Sequence, residues 1–384
     1  MNRRFDPEAA SERLTRTFYE ILAESASGGA SLALWRGAER ILSLHGGEAS
    51  PGQPWNAETP CLIWSASKGV AAACTLHALQ EQKIPLRTRV SALWPAFAAA
   101  GKESITLAGL LSHRAGLAAL DTMGLSLTDH DGVATALAAQ APNWELEDSV
   151  SDSRQASHGY GARTFGYLLD EIVRRTVGES LAAYWERLFR IPLGLDLWFG
   201  LPQDRMGLAA DVIAPKTPPE PGPFSRAFGD PSSLTRRALS EPGKALTPTI
   251  INTPEMRGAS LPSLGAISTA DSLARFYALL ADPACRLFTE ETRTLMRSTL
   301  SSGPDRVLID ATSFSAGFMT NEHGVYGPSP SAFGHPGAGG AIGFADPELG
   351  LGFAFIPSAM HPGALPGRRT RRLVRALYGT EGSE

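Results

Sequence analysis

Strand-like segments at both ends of the chain, on either side of a helical middle, restrict most strongly what this sequence can fold into. Near the N-terminus, residues 30–35 and 41–44 are apolar, and Arg36-Gly37 separates them as a hairpin turn would. The C-terminal part predicts further strands at residues 315–320, 331–335, 341–345 and 351–356. We therefore predict an α+β fold in which the two ends share a mostly antiparallel sheet, with a helical subdomain inserted between them.

Apolar residues at helical spacing indicate where the helices lie. The pattern predicts helices at residues 8–25, from Ser65 to about Gln82, and at 164–178, 181–189 and 368–378. Residues 202–256 contain many prolines, and we expect long irregular structure there that forms a cap on the substrate side. The predicted subdomains are residues 1–84 with 260–384, which hold the sheet, and the mostly helical residues 85–259. The crevice between them is the natural place for a site.

Composition excludes several classes of protein. The chain of 384 residues can bury a large core, and its net charge of −4 argues against nucleic acid or an anionic membrane as the main partner. The three cysteines (Cys61, Cys74 and Cys285) match neither a disulfide framework nor a zinc-binding spacing. The first eight residues lack the apolar segment of a signal peptide, and no apolar run is long enough to span a membrane. We therefore expect a cytoplasmic protein.

The first candidate for chemistry is a serine followed three residues later by a lysine. The apolar run Cys61–Trp64 leads to Ser65, which we expect at the N-cap or in the first turn of a helix, with Lys68 on the same face. An amine beside a hydroxyl at a helix N-terminus is one arrangement that makes a serine nucleophilic. The simpler interpretation is a capping serine and a surface lysine. Only five of the 35 basic residues are lysines, which favours a special role, because lysine loses its proton when desolvated and arginine does not.

Tyr160 is the second candidate. It lies between Gly159 and Gly161 in a loop directly before the predicted helix at 164–178, where a phenol is free to point into a crevice. Beside Lys68, we expect the phenol to lose its proton more readily than usual and to act as a base. The alternative is a tyrosine packed over a loop.

The third candidate is the glycine-rich segment Phe333–Ala341. A strand that runs into several glycines lets the backbone approach a ligand and present N–H groups, which suits an oxyanion hole formed together with the N–H of Ser65. The alternative is a glycine-rich hairpin turn. His335 is open to two interpretations, a base or a structural residue. His113 lies at the end of a short glycine-terminated helix. We interpret it as structural, because a histidine at that position interacts favourably with the helix dipole.

Other common catalytic motifs are absent from the sequence. It contains no Gly-x-Ser-x-Gly elbow, no His-Glu-x-x-His zinc motif, no P-loop and no Gly-x-Gly-x-x-Gly dinucleotide motif. We expect neither a metal nor an organic cofactor.

Taken in order, the matching segments resemble the serine β-lactamase and penicillin-binding-protein superfamily in its class C-like branch, and most closely the family VIII carboxylesterases. They span roughly residues 30–360 and are Ser65-Ala66-Ser67-Lys68, Leu110–Leu117, His158-Gly159-Tyr160, Pro192–Leu195, Ser268–Asp271 and Gly334–Gly340. The resemblance implies a β-lactamase/transpeptidase-like fold.

The resemblance also implies a role for each matching residue. Ser65 would be the acylated nucleophile, and Lys68 with Tyr160 would form the pair that activates it and later protonates the leaving group. The backbone N–H groups of Ser65 and Ala338 would form the oxyanion hole. His335 and Gly337 belong to the strand motif that would contact the substrate.

At two positions this sequence differs from the family's β-lactamase pattern, and both differences indicate which class of substrate to expect. His335 replaces a lysine that helps hold the substrate carboxylate, and Ala162 replaces an asparagine that binds the β-lactam side chain. Neither change affects the acyl-transfer machinery, so we expect a carboxylesterase that hydrolyses small, uncharged, short-acyl esters through an acyl-enzyme. The alternatives are β-lactamase or D-alanyl peptidase-like activity, acyl transfer or small-amide hydrolysis at the same site, and a non-catalytic binding protein.

Overall fold

The computed structural model describes residues 5–25, 27–146, 154, 156–243 and 246–380. Within this part of the chain, the strands form one nine-stranded and one three-stranded sheet. The order in the large sheet is β3-β2-β1-β12-β11-β10-β9-β8-β7, and that in the small sheet is β4-β6-β5. The strands are β1 (Gly29–Arg36), β2 (Glu39–Ser50), β3 (Gln53–Pro54), β4 (Cys61–Leu62), β5 (Leu197–Phe199), β6 (Ala266–Ser268), β7 (Ser301–Pro304), β8 (Ala311–Phe314), β9 (Met319–Thr320), β10 (Phe333–Pro336), β11 (Ile342–Asp346) and β12 (Leu351–Pro357).

Most helices lie between β4 and β7 in the chain. The α-helices of the described residues are α1 (Pro7–Glu24), α2 (Ser67–Glu81), α3 (Val90–Leu93), α4 (Leu107–Leu111), α5 (His130–Ala139), α6 (Thr164–Val177), α7 (Leu181–Trp185), α8 (Ile191–Leu193), α9 (Pro223–Gly229), α10 (Leu234–Ser240), α11 (Pro248–Ile251), α12 (Pro254–Gly258), α13 (Ala270–Ala281), α14 (Glu290–Arg297) and α15 (Arg368–Tyr378). Shorter 3₁₀ turns are Trp64–Ala66, Pro95–Gly101 and Gln203–Leu208, and Glu186–Arg190 is a π-turn. No described helix is both long enough and apolar enough to cross a membrane.

The central strands of the large sheet are buried on both faces. Alternate residues of β1 divide between two clusters, since Leu32 and Leu34 pack with α1 and α15 whereas Ala33 packs with α13 and α2. The α13 face of the sheet uses small residues, and a Cβ at Gly352 would lie 2.1 Å from the carbonyl oxygen of Ala274. This close approach of α13 fixes the position of the central strands.

The predicted antiparallel sheet shared by the two ends of the chain is confirmed. Strands β1 and β12 pair antiparallel from Ala30 opposite Pro357 to Arg36 opposite Leu351. The predicted closing helix is α15 with the expected bounds. The division into residues 1–84 with 260–384 and residues 85–259 stays a prediction.

Two predictions about secondary structure are wrong. Residues 315–320 do not form one strand, because the chain turns between β8 and β9 with Gly317 at φ 91°. A Cβ at Gly317 would lie 2.4 Å from Cβ of Ala72, so the turn exists where the chain contacts α2. Residues 202–256 are not simply irregular, since they form α9 to α12 with prolines at the first turns of α9, α11 and α12, where proline is tolerated.

Candidate active site

Ser65 lies in the 3₁₀ turn that leads into α2, so it precedes the helix by two residues instead of capping it. Trp64 has φ 50°, in the left-handed region that non-glycine residues rarely occupy. Ser67 holds this turn in place: its Oγ donates to the Trp64 carbonyl at 2.5 Å and accepts from the Ala266 amide at 3.0 Å. The strained turn thus presents a half-buried Ser65 side chain at the end of the helix.

Lys68 is fully buried on the first turn of α2, which excludes the surface-lysine interpretation. Its Nζ lies 3.2 Å from Oγ of Ser65, 2.7 Å from the carbonyl oxygen of Ala162 and 2.8 Å from that of Ser263. Burial holds the pKa of Lys68 well below its usual value, because the charged form loses its hydration. Burial therefore favours the neutral amine over the charged form.

A neutral amine has two hydrogens and one lone pair. In that form, the carbonyls of Ala162 and Ser263 would accept the two hydrogens and leave the lone pair directed towards Oγ of Ser65, whereas the charged form would donate to this oxygen. Nothing in the sequence pointed to Ser263, because any residue type offers a backbone carbonyl. Its own Oγ fastens it in place, donating to the Arg163 carbonyl at 2.9 Å and accepting from the Gly166 amide at 2.5 Å.

Tyr160 lies on the other side of Ser65. Nζ of Lys68 is 4.8 Å from the centre of the phenol ring, and the phenol forms a hydrogen bond with Ser65. Burial raises the pKa of Tyr160 above its usual value, and the bond to Ser65 offsets this only in part. The expectation that the phenol would lose its proton more readily than usual is wrong in direction, because burial disfavours the charged phenolate.

The end of β10 approaches the turn that carries Ser65. A Cβ at Gly337 would lie 2.3 Å from the carbonyl oxygen of Ile63, so only glycine allows this contact. Ala338 follows, half-buried, and among the described residues neither its amide nor that of Ser65 donates to a protein acceptor. The amides of Ser65 and Ala338, on neighbouring segments, are thus without a protein acceptor in the described part of the chain.

His335 is buried on β10 and stacks against Tyr160, with ring centres 5.8 Å apart. Its Nδ1 donates to the Pro336 carbonyl at 2.7 Å. Burial, and to a lesser degree the nearby Lys68, lower the pKa of His335 to about 3. The imidazole is neutral at neutral pH, and so it supplies no fixed cation for a substrate carboxylate.

Asp305 forms a hydrogen bond with the loop that carries Tyr160. The sequence did not lead us to predict this role for Asp305. This buried carboxylate accepts the backbone N–H of Tyr160 at 3.1 Å and the hydroxyl of Thr312 at 3.1 Å. Thr312 also contacts Nε2 of His158 at 2.8 Å. Nothing in the sequence around Asp305 links it to a loop 145 residues earlier.

A cavity of about 680 Å³ lies near the β10–β11 turn. The proline-rich segment 217–225 forms one wall, and residues 361–368 form another. The backbone N–H of His361 donates to the Gly339 carbonyl at 2.9 Å, which ties this wall to the residue after Ala338. None of the candidate site residues lines this cavity.

The fold brings a serine, a buried amine and a phenol together at one site. This combination is that of the serine hydrolases with the β-lactamase/transpeptidase-like fold. The chain belongs to the beta-lactamase family, whose model matches residues 14–377. The predicted resemblance and fold class are confirmed.

Similar known proteins include esterases and a penicillin-binding-protein homologue. The esterase/beta-lactamase LipL of Mycobacterium tuberculosis is 29% identical over 358 residues, which cover 89% of this chain and 80% of LipL. The crystal structure of a penicillin-binding-protein homologue from Caulobacter crescentus is 30% identical, with a TM-score of 0.86 and 97% of each chain covered. A family VIII carboxylesterase is 29% identical, with a TM-score of 0.85 and the same coverage. The protein is thus a hydrolase of the esterase/β-lactamase fold.

Proposed function

We propose that the protein is a serine carboxylesterase that hydrolyses small, uncharged esters with short acyl groups through a covalent acyl-enzyme. The observation that carries this proposal is the position of the buried Nζ of Lys68, within hydrogen-bonding distance of Oγ of Ser65 and of two backbone carbonyls. With both amine hydrogens bonded to carbonyls, Nζ accepts a proton from Oγ of Ser65 at 3.2 Å.

In the acylation step, Oγ of Ser65 forms a bond to the ester carbonyl carbon and gives its proton to Nζ of Lys68. The oxygen of the tetrahedral intermediate accepts hydrogen bonds from the amides of Ser65 and Ala338. The bond to the alcohol oxygen then breaks, and the phenol of Tyr160 protonates that oxygen. Lys68 returns its proton to Tyr160, so both groups are neutral again.

In the deacylation step, a water molecule attacks the acyl carbon. The Lys68–Tyr160 pair accepts the proton of this water and passes it to Oγ of Ser65 as the acyl bond breaks. The pair titrates as a unit, and its pKa values belong to both groups. No step needs a metal ion.

The neutral environment of the site supports an uncharged substrate. His335 is an uncharged imidazole, and Ala162 contributes a carbonyl to Lys68 but no side-chain amide. Both features remove groups that would hold the carboxylate and side chain of a β-lactam. His335 and Gly337 line the acyl side in this proposal.

The site also supports the predicted subdomains as part of this proposal. Lys68 belongs to residues 1–84, and its carbonyl partners Ala162 and Ser263 belong to residues 85–259 and 260–384. We therefore propose that the reaction takes place in the crevice between the two subdomains.

The test compares hydrolysis of p-nitrophenyl acetate, p-nitrophenyl butyrate and nitrocefin by the wild type, Ser65→Ala and Ser232→Ala, which changes an exposed serine. We expect ester hydrolysis that Ser65→Ala abolishes and Ser232→Ala leaves unchanged. A serine-reactive phosphonate should add one adduct, on Ser65, as seen by mass spectrometry. Ester hydrolysis that survives Ser65→Ala would overturn the proposal, and so would the absence of both hydrolysis and adduct.

The remaining alternatives give other products in the same assay. Nitrocefin hydrolysis faster than ester hydrolysis would favour a β-lactamase. A new ester formed when an alcohol is added would identify an acyltransferase.

A further inference from the structure

His113 occupies an unusual position directly after α4. It has φ 60° and is buried, with its ring centre 4.4 Å from that of Phe165 and 4.5 Å from that of Phe314. The carbonyl of the preceding Ser112 accepts the hydroxyl of Ser301 at 2.8 Å. A left-handed residue other than glycine persists only where its surroundings determine it, so this backbone is firmly held.

His113 bonds to both sides of Tyr160. Its carbonyl oxygen accepts the N–H of Gly159 at 3.1 Å, and its side-chain Nδ1 accepts the N–H of Gly161 at 3.2 Å. The imidazole also lies against the phenol, with ring centres 5.3 Å apart. One residue therefore holds the backbone before and after the phenol.

The two glycines make such a restraint necessary. A Cβ at Gly159 would lie 2.9 Å from the ring of Trp144, and one at Gly161 would lie 3.0 Å from Oγ1 of Thr164, so the loop is packed too closely for larger residues. Glycine has more conformational freedom than any other residue, and the loop does not hold its shape by itself. Three successive amides of the loop donate hydrogen bonds, two to His113 and one to Asp305, and these bonds fix its conformation.

We propose that His113 is a positioning residue for the reaction: through Nδ1 and its carbonyl it fixes the Tyr160 phenol. The inference rests on the proposed function, in which Tyr160 and Lys68 move protons. It goes beyond the sequence-based interpretation of His113 as a structural residue at a helix end. Burial lowers the pKa of His113 well below its usual value, as do the nearby Lys68, His335 and His158 to a lesser degree. Nδ1 therefore keeps its lone pair at neutral pH.

Two substitutions with side chains of similar size distinguish the role of the hydrogen-bond acceptor of His113 from that of the volume of its ring. The His113→Asn variant would keep an acceptor near the Nδ1 position and tolerate a positive φ, whereas His113→Leu has no acceptor. We expect His113→Leu to lower kcat for p-nitrophenyl acetate about 10- to 100-fold with KM nearly unchanged, because a small misplacement of a reacting group costs this much. His113→Asn should keep kcat within about fivefold, and the exposed His45→Leu should match the wild type.

A double substitution tests whether His113 acts through Tyr160. If it does, Tyr160→Phe combined with His113→Leu should be no slower than Tyr160→Phe alone, since the phenol to be positioned is gone. Active protein is counted by phosphonate labelling of Ser65, so that loss of folded protein is not taken for loss of rate. Effects that multiply would overturn the proposal, and so would a folded His113→Asn that is as slow as Tyr160→Phe. Full activity in Tyr160→Phe would instead overturn the proposed role of Tyr160, and this inference with it.

Discussion

Nζ of Lys68 lies 3.2 Å from Oγ of Ser65, inside a cradle made by the carbonyls of Ala162 and Ser263. Burying an amine in this way costs stability, because the charged form loses its hydration and the pKa of Lys68 is lowered. The site therefore links activity and stability through one side chain, and both depend on pH.

Lys68→Met should abolish ester hydrolysis and change how stability depends on pH. In the unfolded chain the pKa of Lys68 is about 10.4, whereas in the folded protein it is held well below that. Between the two values the unfolded state binds more protons, so this group makes the wild type more stable as pH rises and less stable as pH falls. We therefore expect the difference in Tm, taken as Lys68→Met minus wild type, to decrease as the pH is raised from 7 to 10. Turnover should drop by about 10³-fold or more.

The control is Lys216→Met, which changes an exposed lysine and should leave both turnover and the pH dependence of Tm unchanged. Thermal unfolding followed by circular dichroism at four pH values measures the difference. A Tm difference that stays constant with pH would mean that Lys68 is charged in the folded protein.

The rate of ester hydrolysis should rise with pH to a plateau and not fall again below about pH 10. Lys68 must be neutral to accept the serine proton, so activity is lost as pH falls through its lowered pKa. Tyr160 must keep its proton, and burial raises its pKa above the usual value of about 10. His335, with its pKa lowered to about 3, stays neutral and contributes no step near pH 6.5. Measured kcat/KM values that decline between pH 7 and pH 9 would contradict this assignment.

The sequence pointed to the groups that we propose to react but not to the groups that hold them. Ser65, Lys68 and Tyr160 are recognisable because their side chains carry the chemistry and their order along the chain is distinctive. The carbonyls of Ala162 and Ser263 have no such signature, because every residue has a carbonyl and only the tertiary fold decides which ones face an amine.

The same limit explains the errors about the fold. Strands with continuous apolar patterns, such as Leu351–Pro357, were predictable because the central strands of the sheet are buried on both faces. The break at Gly317 was not, because it depends on contact with Ala72 from a distant helix. The direction of the Tyr160 pKa shift also required the structure, since it depends on whether the phenol itself is buried.

Gly337→Ala should slow acylation. The added Cβ would lie 2.3 Å from the carbonyl oxygen of Ile63, so the end of β10 must move away from the turn of Ser65 and carry Ala338 with it. Loss of one oxyanion donor costs about 10²- to 10³-fold in rate. We expect kcat/KM for p-nitrophenyl acetate and the rate of phosphonate labelling to fall together by this amount.

The matched control is Gly207→Ala, because a Cβ there has no neighbour within 4 Å and the backbone has no positive φ. It should behave as the wild type. Unchanged labelling in Gly337→Ala would remove Ala338 from the proposed oxyanion hole.

Asp305→Ala should destabilise the fold and slow the reaction. Oδ1 of Asp305 accepts the amides of Tyr160, Val307 and Leu308 at 3.1, 2.8 and 2.9 Å, and Oδ2 accepts the hydroxyl of Thr312. Removing the carboxylate leaves buried donors without a partner, and each costs about 1–3 kcal/mol. We therefore expect the free energy of unfolding to fall by about 3 kcal/mol or more, as measured by urea denaturation.

Asp310 offers a control in the same segment, because it is exposed and its carboxylate accepts only the adjacent amide of Ala311, at 2.8 Å, among the described residues. Asp310→Ala should change the unfolding free energy by less than about 1 kcal/mol and leave kcat unchanged. For Asp305→Ala, kcat per phosphonate-labelled site should also fall, because the amide of Tyr160 loses its acceptor. An Asp305→Ala protein that is less stable but turns over at the wild-type rate per labelled site would show that Asp305 stabilises the fold without orienting Tyr160.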